Sequence, residues 1–163
     1  MRPLAIATAV FLLVVLIVSD AEAQAAASDS VKISSEQAVK VVVTEFGKQL
    51  RSVAVLAPKT NAVAAMEVAY SAYVTAELLA KWKMDPMHAP GKRTSSPSPE
   101  RIDISSIVAR GSTAYIVTGK VILLTAQERK DGGIFQANPV TMTVALRQGK
   151  WIITNYKETE THP

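Results

Sequence analysis

The chain has 163 residues, with 18 lysines and arginines against 14 acidic residues, a net charge of +4, and no cysteine. The missing thiols exclude disulfides, thiol nucleophiles, cysteine-ligated metals and the lipid anchor of a lipoprotein. The mild positive charge is compatible with weak attraction to anionic wall polymer or lipid headgroups. Without a strongly basic helix it gives no support to nucleic-acid binding.

Arg2 precedes an apolar run over residues 4–18, LAIATAVFLLVVLIV, and Ala21-Glu22-Ala23 supplies a small-x-small cleavage pattern. A spanning helix needs about 20 apolar residues. A cleaved export signal over 1–23 is therefore expected, with a periplasmic or extracellular destination; an N-terminal membrane anchor, if the signal is uncleaved, is the alternative. Loss of Arg2, Asp20 and Glu22 with that leader leaves 17 basic and 12 acidic residues, a net +5. A disulfide-free exported domain depends on its core, and the remaining length is sufficient for one.

Residues 24–33 read as a flexible lead-in. Ser34 with Gln37 forms a capping-box pattern, and Val39, Val42, Phe46, Leu50 and Val53 follow at helical spacing, which predicts a helix over 35–56 stopped by Pro58. Gly47 lies inside it, from close packing or as a local weakness. Asn61 is placed to cap a second helix over 61–72 containing Val63, Met66 and Tyr70. Thr75 is placed to cap a short third one with Leu78, Leu79 and Trp82 on its buried side. From Asp85 to Pro99, prolines 86, 90, 97 and 99 argue against regular structure while stiffening the backbone.

After residue 100 the period becomes that of strands. Arg101 to Ile104 alternates and slips at Ser105-Ser106, the mark of a bulge. Gly111-Ser112 turns the chain into a strand over Tyr115–Glu128 that bends at Gly119, and Lys130-Asp131-Gly132-Gly133 reads as a hairpin turn. Asn138–Arg147 and Trp151–Tyr156 complete four strands, and 158–163 reads as a polar tail. Helices followed by a meander imply one α+β domain over 34–157, with N-terminal helices packed on a curved four-stranded antiparallel sheet.

The run Tyr73-Val74-Thr75-x-Glu77-Leu78-Leu79-x-x-Trp82, followed by Asp85-Pro86, Ala89-Pro90-Gly91 and Arg101-Ile102, resembles a group of bacterial exported proteins. The order of elements over 35–157 is similar to that of the nuclear transport factor 2-like (cystatin-like) superfamily of cone-shaped α+β domains. The resemblance implies a fold, and it departs from the usual order by lacking an extra short strand between helices. That superfamily hosts isomerases, dehydratases, binding modules and assembly domains, so fold alone assigns no function.

The chemistry is narrowed by what is missing. His88 and His162 are the two histidines, without a G-x-S-x-G context, a zinc spacing or a phosphate-cradling glycine pattern anywhere in the chain. No motif implies a cofactor. Three readings remain. In the first, implied by kinship of fold with ketosteroid isomerase, Asp103 moves a proton beside Tyr70, Tyr73 or Tyr115 in a small isomerase or dehydratase; alternation of Asp103 with Ile102 and Ile104 instead points it to solvent. In the second, Tyr70, Tyr73, Trp82, Tyr115 and Met142, with Met66, line a pocket for a small apolar ligand, or else are ordinary core. In the third, apolar residues on both faces of Val121-Ile122-Leu123-Leu124 and at Ile152-Ile153 call for a cover, either an element of the chain or a partner, a second copy or another envelope protein docking through the sheet. The loop adds a candidate anion site in Lys92, Arg93 and Arg101, with solvation of the loop as the plain alternative. The expected protein is an exported, non-enzymatic binding or assembly module.

Overall fold

The computed structural model describes residues 19–160, with side chains from residue 34 onward; the apolar run of the expected signal and the last three residues lie outside the described residues. Helix α1 spans Ser19–Gln49 and a 3-10 turn follows at Leu50–Ser52. Two expectations are corrected here. The helix does not begin at the Ser34 capping pattern but passes back through 24–33, and it ends before Val53 rather than near residue 56. Its C-terminal limit has a physical cause: Val53 is extended and Ala54 bridges to the loop at Lys92, with Lys92 N–H donating to Val53 O at 2.7 Å and Val55 N–H to Lys92 O at 3.1 Å.

Helix α2 covers Lys59–Tyr70, beginning after Pro58 with no side-chain cap, so Asn61 lies inside its first turn instead of capping it. Helix α3 covers Ala76–Met84, and Thr75 caps it as expected, its hydroxyl accepting from Leu78 N–H. Strands β1 (Ser98–Ala109), β2 (Ala114–Leu124), β3 (Gln136–Arg147) and β4 (Lys150–Glu158) form an antiparallel sheet in the order β1-β2-β3-β4. The α+β class and the meander expected from the sequence are both present.

The segment between β2 and β3 departs from the hairpin expected there. β2 stops at Leu124, and a six-residue helix, α4 (Ala126–Asp131), fills the connection. Thr125 and Glu128 form a capping box, and Gly132, at φ 75°, ends the helix in the left-handed conformation. The glycine pair after Asp131 therefore marks a helix C-terminus.

One face of the sheet carries Tyr115, Val117, Val121, Val140, Met142, Val144 and Ile153 into the core against Val39, Val43, Phe46 and Leu50 of α1, Met66 and Tyr70 of α2, and Leu79 and Trp82 of α3. The predicted bulge lies between Ile104 and Ser106, opposite Gly119, where a Cβ would stand 2.4 Å from Asp103 O. Gly47 is likewise explained by close approach, since a Cβ there would lie 2.8 Å from Ile102 N. On the free side of β4, Ile153 N–H donates to Tyr73 O at 2.8 Å and Thr75 N–H to Ile153 O at 3.0 Å, so the link between α2 and α3 pairs along that edge.

Ile122 and Leu124, on the sheet face away from the main core, are only 2% and 5% exposed. α4 packs against β2, and this burial is achieved within one chain. The doubly apolar end of β2 thus needs no second subunit to cover it.

Candidate functional site

The proline-rich loop is fastened to the core at several points. The Tyr70 hydroxyl, fully buried, donates to Pro90 O at 2.7 Å. Gly91 follows at φ 147°, and a Cβ on it would lie 2.7 Å from Val53 O and 2.8 Å from Val55 Cγ1. Pro86–His88 forms a 3-10 turn and β1 already begins at Ser98, so the stretch is more regular than its prolines imply. Arg93 donates to Met87 O at 2.7 Å and pairs with Glu160, while Thr94 donates to Pro97 O at 2.9 Å.

Between this loop and the adjoining ends of β2, β3 and β4 lies a cavity of about 250 Å³. Its apolar walls include Leu50, Pro99, Val121, Leu123 and the half-exposed ring of Phe135. Its polar lining is supplied by Gln136, Asn138 and Glu158, with Arg93 and Glu160 beside them. A second hollow of about 640 Å³ shares Ala89, Pro90, Arg93, Glu158 and Glu160 with the first, and is bounded by Leu56, Met87 and Tyr156.

The polar groups form a directed chain. Gln136 Nε2 donates to Asn138 Oδ1 at 2.8 Å, Asn138 Nδ2 donates to Glu158 Oε1 at 2.8 Å, and the Tyr156 hydroxyl donates to Glu158 Oε2 at 2.6 Å. Asn138 is 4% exposed, one of few buried polar side chains among the described residues. Such a residue is retained in a core only when its hydrogen bonds are satisfied, because an amide buried without them costs several kcal/mol. The Glu158 charge is felt nearby: burial first, and then that carboxylate, pushes the hydroxyls of both Tyr70 and Tyr156 well above their ordinary range, with Arg93 opposing the effect at Tyr156.

The residues proposed from sequence occupy other places. Tyr70, Trp82 and Met142 are buried core, and Tyr73 packs half-buried against Phe46. Phe46, Tyr70, Trp82 and Tyr156 form one aromatic cluster, in which Phe46 and Trp82 stack at 6.3 Å and Trp82 meets Tyr156 edge-on at 5.8 Å. Tyr115 pairs with Trp151 at 5.3 Å. None of Tyr70, Tyr73, Trp82, Tyr115 and Met142 lines either cavity. Asp103 is exposed, its carboxylate clamped by Arg101 at 2.8 and 3.2 Å, so aspartate and tyrosines do not meet. Of the expected anion site, Arg101 is paired with Asp103 and Arg93 with Glu160, while Lys92 is tied through its backbone to Val53 and Val55.

Asn138, Gln136 and Glu158 escaped the sequence reading, although one signal was present. Counting back in twos from Met142 and Val140 along β3 places Asn138 and Gln136 on the core face. Glu158 had no such signal. A register shift between β3 and β4 separates the Val144–Ile153 pair from the Thr143–Asn155 pair, and this extra residue reverses the phase of β4 beyond it. Tyr156 and Glu158 therefore share the inner face with Ile153, and Glu158 belongs to a strand rather than to the polar tail.

No family model, curated protein or solved structure compared with the chain matches it.

Proposed function

We propose that the protein is an exported, non-enzymatic binding module of the nuclear transport factor 2-like cone type, which holds a small molecule in the cavity between the proline-rich loop and the sheet. The observation that carries this reading is the cavity itself: apolar walls with the Gln136–Asn138–Glu158 chain converging on one side. Binding sites typically combine apolar walls with a few fixed polar groups, in volumes of about 300–1,000 Å³. At about 250 Å³ the cavity sits just under that range, and the ligand is correspondingly small. The apolar run over residues 4–18 with the Ala21-Glu22-Ala23 pattern, read as an export signal, supports an extracytoplasmic site of action.

The runner-up, a proton-transfer enzyme, lacks its geometry. Asp103 faces solvent, and the Tyr156 hydroxyl is spent on Glu158 rather than directed at a substrate oxygen. Self-association through the sheet loses its main support once Ile122 and Leu124 are covered within the chain.

A fragment screen read by amide chemical shifts tests the binding reading. Gly91, Phe135 and Asn138 are expected to shift together and saturably, and Asn138→Leu is expected to abolish the response. Shifts confined to residues remote from this cavity, or no saturable shift at all, would refute it.

A further inference from the structure

The charges around the smaller cavity are unequal. Its charged lining is Arg93, Glu158 and Glu160, one cation against two carboxylates. Arg93 and Glu160 pair with each other, and the remaining guanidinium contact goes to Met87 O, so this part of the rim is already neutralised. Glu158 differs. Its carboxylate accepts from the neutral donors of Asn138 and Tyr156, which orient it without cancelling its charge. A carboxylate accepts at about four lone-pair positions, and two hydrogen bonds leave it capacity for a donor arriving from the cavity.

The hydrogen-bond chain reinforces the same polarity. Gln136 donates to Asn138 and Asn138 to Glu158, so successive dipoles run toward the carboxylate and stabilise negative charge at that end. The opposite side of the cavity offers hydrocarbon: Val121, Leu123 and Pro99, with Phe135 at the rim.

Resting on the binding reading above, we propose that the ligand is a small monocation with an apolar body, of the primary-amine class, whose ammonium group docks on the Glu158 carboxylate while its hydrocarbon packs on Val121, Leu123 and Phe135. An ammonium has three donors and no acceptor, which suits a carboxylate already held by two neutral donors. The charge-assisted bond so formed is about twice as strong as a neutral one. An anionic ligand meets the Glu158 charge head-on, and the Arg93 guanidinium that would receive it is occupied.

The test uses three probes of matched shape on the full chain: 2-phenylethylamine, its neutral counterpart 2-phenylethanol, and the anion 3-phenylpropionate. Titrations followed at Phe135, Gln136 and Asn138 are expected to rank the amine tightest, about ten-fold or more ahead of the alcohol, with the anion weakest. Glu158→Gln keeps shape and an acceptor oxygen but removes the charge. It is expected to remove most of the lead that the amine holds over the alcohol, and an amine-over-alcohol ratio that the variant leaves untouched overturns the assignment to Glu158. The ranking in the unsubstituted protein stands independently of how well that variant folds. Equal binding of amine and alcohol, or tighter binding of the anion, overturns the charge assignment while leaving the cavity as a binding site. Failure of all three to bind saturably overturns both.

Discussion

Tyr70→Phe isolates the bond that fastens the loop. The substitution removes one oxygen and retains the ring, so the contacts of residue 70 with Phe46 at 5.2 Å and with Trp82 at 5.7 Å persist. The 2.7 Å hydrogen bond to Pro90 O is lost, and that carbonyl belongs to a buried residue. Leaving a buried acceptor without its partner costs about 1–3 kcal/mol. With a urea m-value of about 2 kcal/mol/M for a small protein, the unfolding midpoint should fall by about 0.5–1.5 M. Tryptophan fluorescence reports the transition, and amide exchange reports the local consequence: the Lys92 N–H, bonded to Val53 O, should exchange faster in the variant. An unchanged midpoint together with unchanged Lys92 exchange would refute the claim that this hydroxyl anchors the loop.

The same residue yields a pH dependence of definite sign. Burial, and secondarily the Glu158 charge, raises the Tyr70 hydroxyl well above 10 in the folded chain. In the unfolded chain it ionises near pH 10. Up to that pH both states hold the proton and the full contribution to stability is present. Above it the unfolded state releases a proton that the folded state keeps, so stability falls by about 1.4 kcal/mol per pH unit for this one group. Tyr70→Phe lacks that loss. The stability gap between the two proteins should be constant below about pH 10 and should narrow by about 1.4 kcal/mol per unit above it. A gap that widens in alkali would contradict the assignment.

Two further predictions concern glycines and the short helix. Gly119→Ala places a methyl 2.4 Å from Asp103 O and should cost about 1–3 kcal/mol through strain between β1 and β2, whereas Gly132→Ala meets no atom within 4 Å and should cost about 1–2 kcal/mol through its φ of 75° alone. Thermal unfolding measures both, and a Gly119→Ala protein as stable as the unsubstituted one would refute the close-approach reading of Gly119. Thr125→Ala removes the capping box of α4 and should cost about 1 kcal/mol. Protease cleavage within 126–131 should accelerate in that variant, and an unaltered cleavage rate would mean that the helix does not depend on its cap.

The legible parts of the fold were those governed by uninterrupted periodicity. The alternation Val140, Met142, Val144 and the helical spacing Val39, Phe46, Leu50 report burial directly, and both lie in the core. The illegible parts were those where one residue changes the phase or where local signals compete. Thr125-x-x-Glu128 is a helix-start pattern, yet it follows apolar β2 so closely that the glycines after it resemble a hairpin turn. Val53–Val55 continues the apolar spacing of α1 but leaves the helix because the loop backbone offers it hydrogen bonds. The inner position of Glu158 depends on a bulge that only pairing with β3 reveals. Aromatic side chains misled for a related reason: Tyr70, Trp82 and Tyr115 have the chemistry of a pocket lining, but their bulk is what fills this core.

The position of the cavity follows from where the helical layer stops. α1 ends at Gln49, and Leu50 of the following 3-10 turn is the last large buried side chain before the backbone turns away to pair with Lys92. Along the inner face of the sheet, Val117, Met142 and Val144 are packed into the core, while the line through Val121, Leu123, Asn138 and Gln136 faces the loop. The loop covers that line but does not fill it, because Pro90, Gly91, Pro97 and Pro99 carry short side chains and several of its contacts are made through the backbone. A flexible loop would collapse into the space. This one is held at Pro90 by Tyr70 and at Lys92 by Val53 and Val55, and proline restricts what remains of its motion. The anchoring that identifies the loop as structural is therefore also what keeps the cavity open, and loosening it by Tyr70→Phe should weaken amine binding even though Tyr70 lines neither cavity. Unimpaired binding in a Tyr70→Phe protein whose loop exchanges faster would show that the cavity is preorganised by the sheet alone.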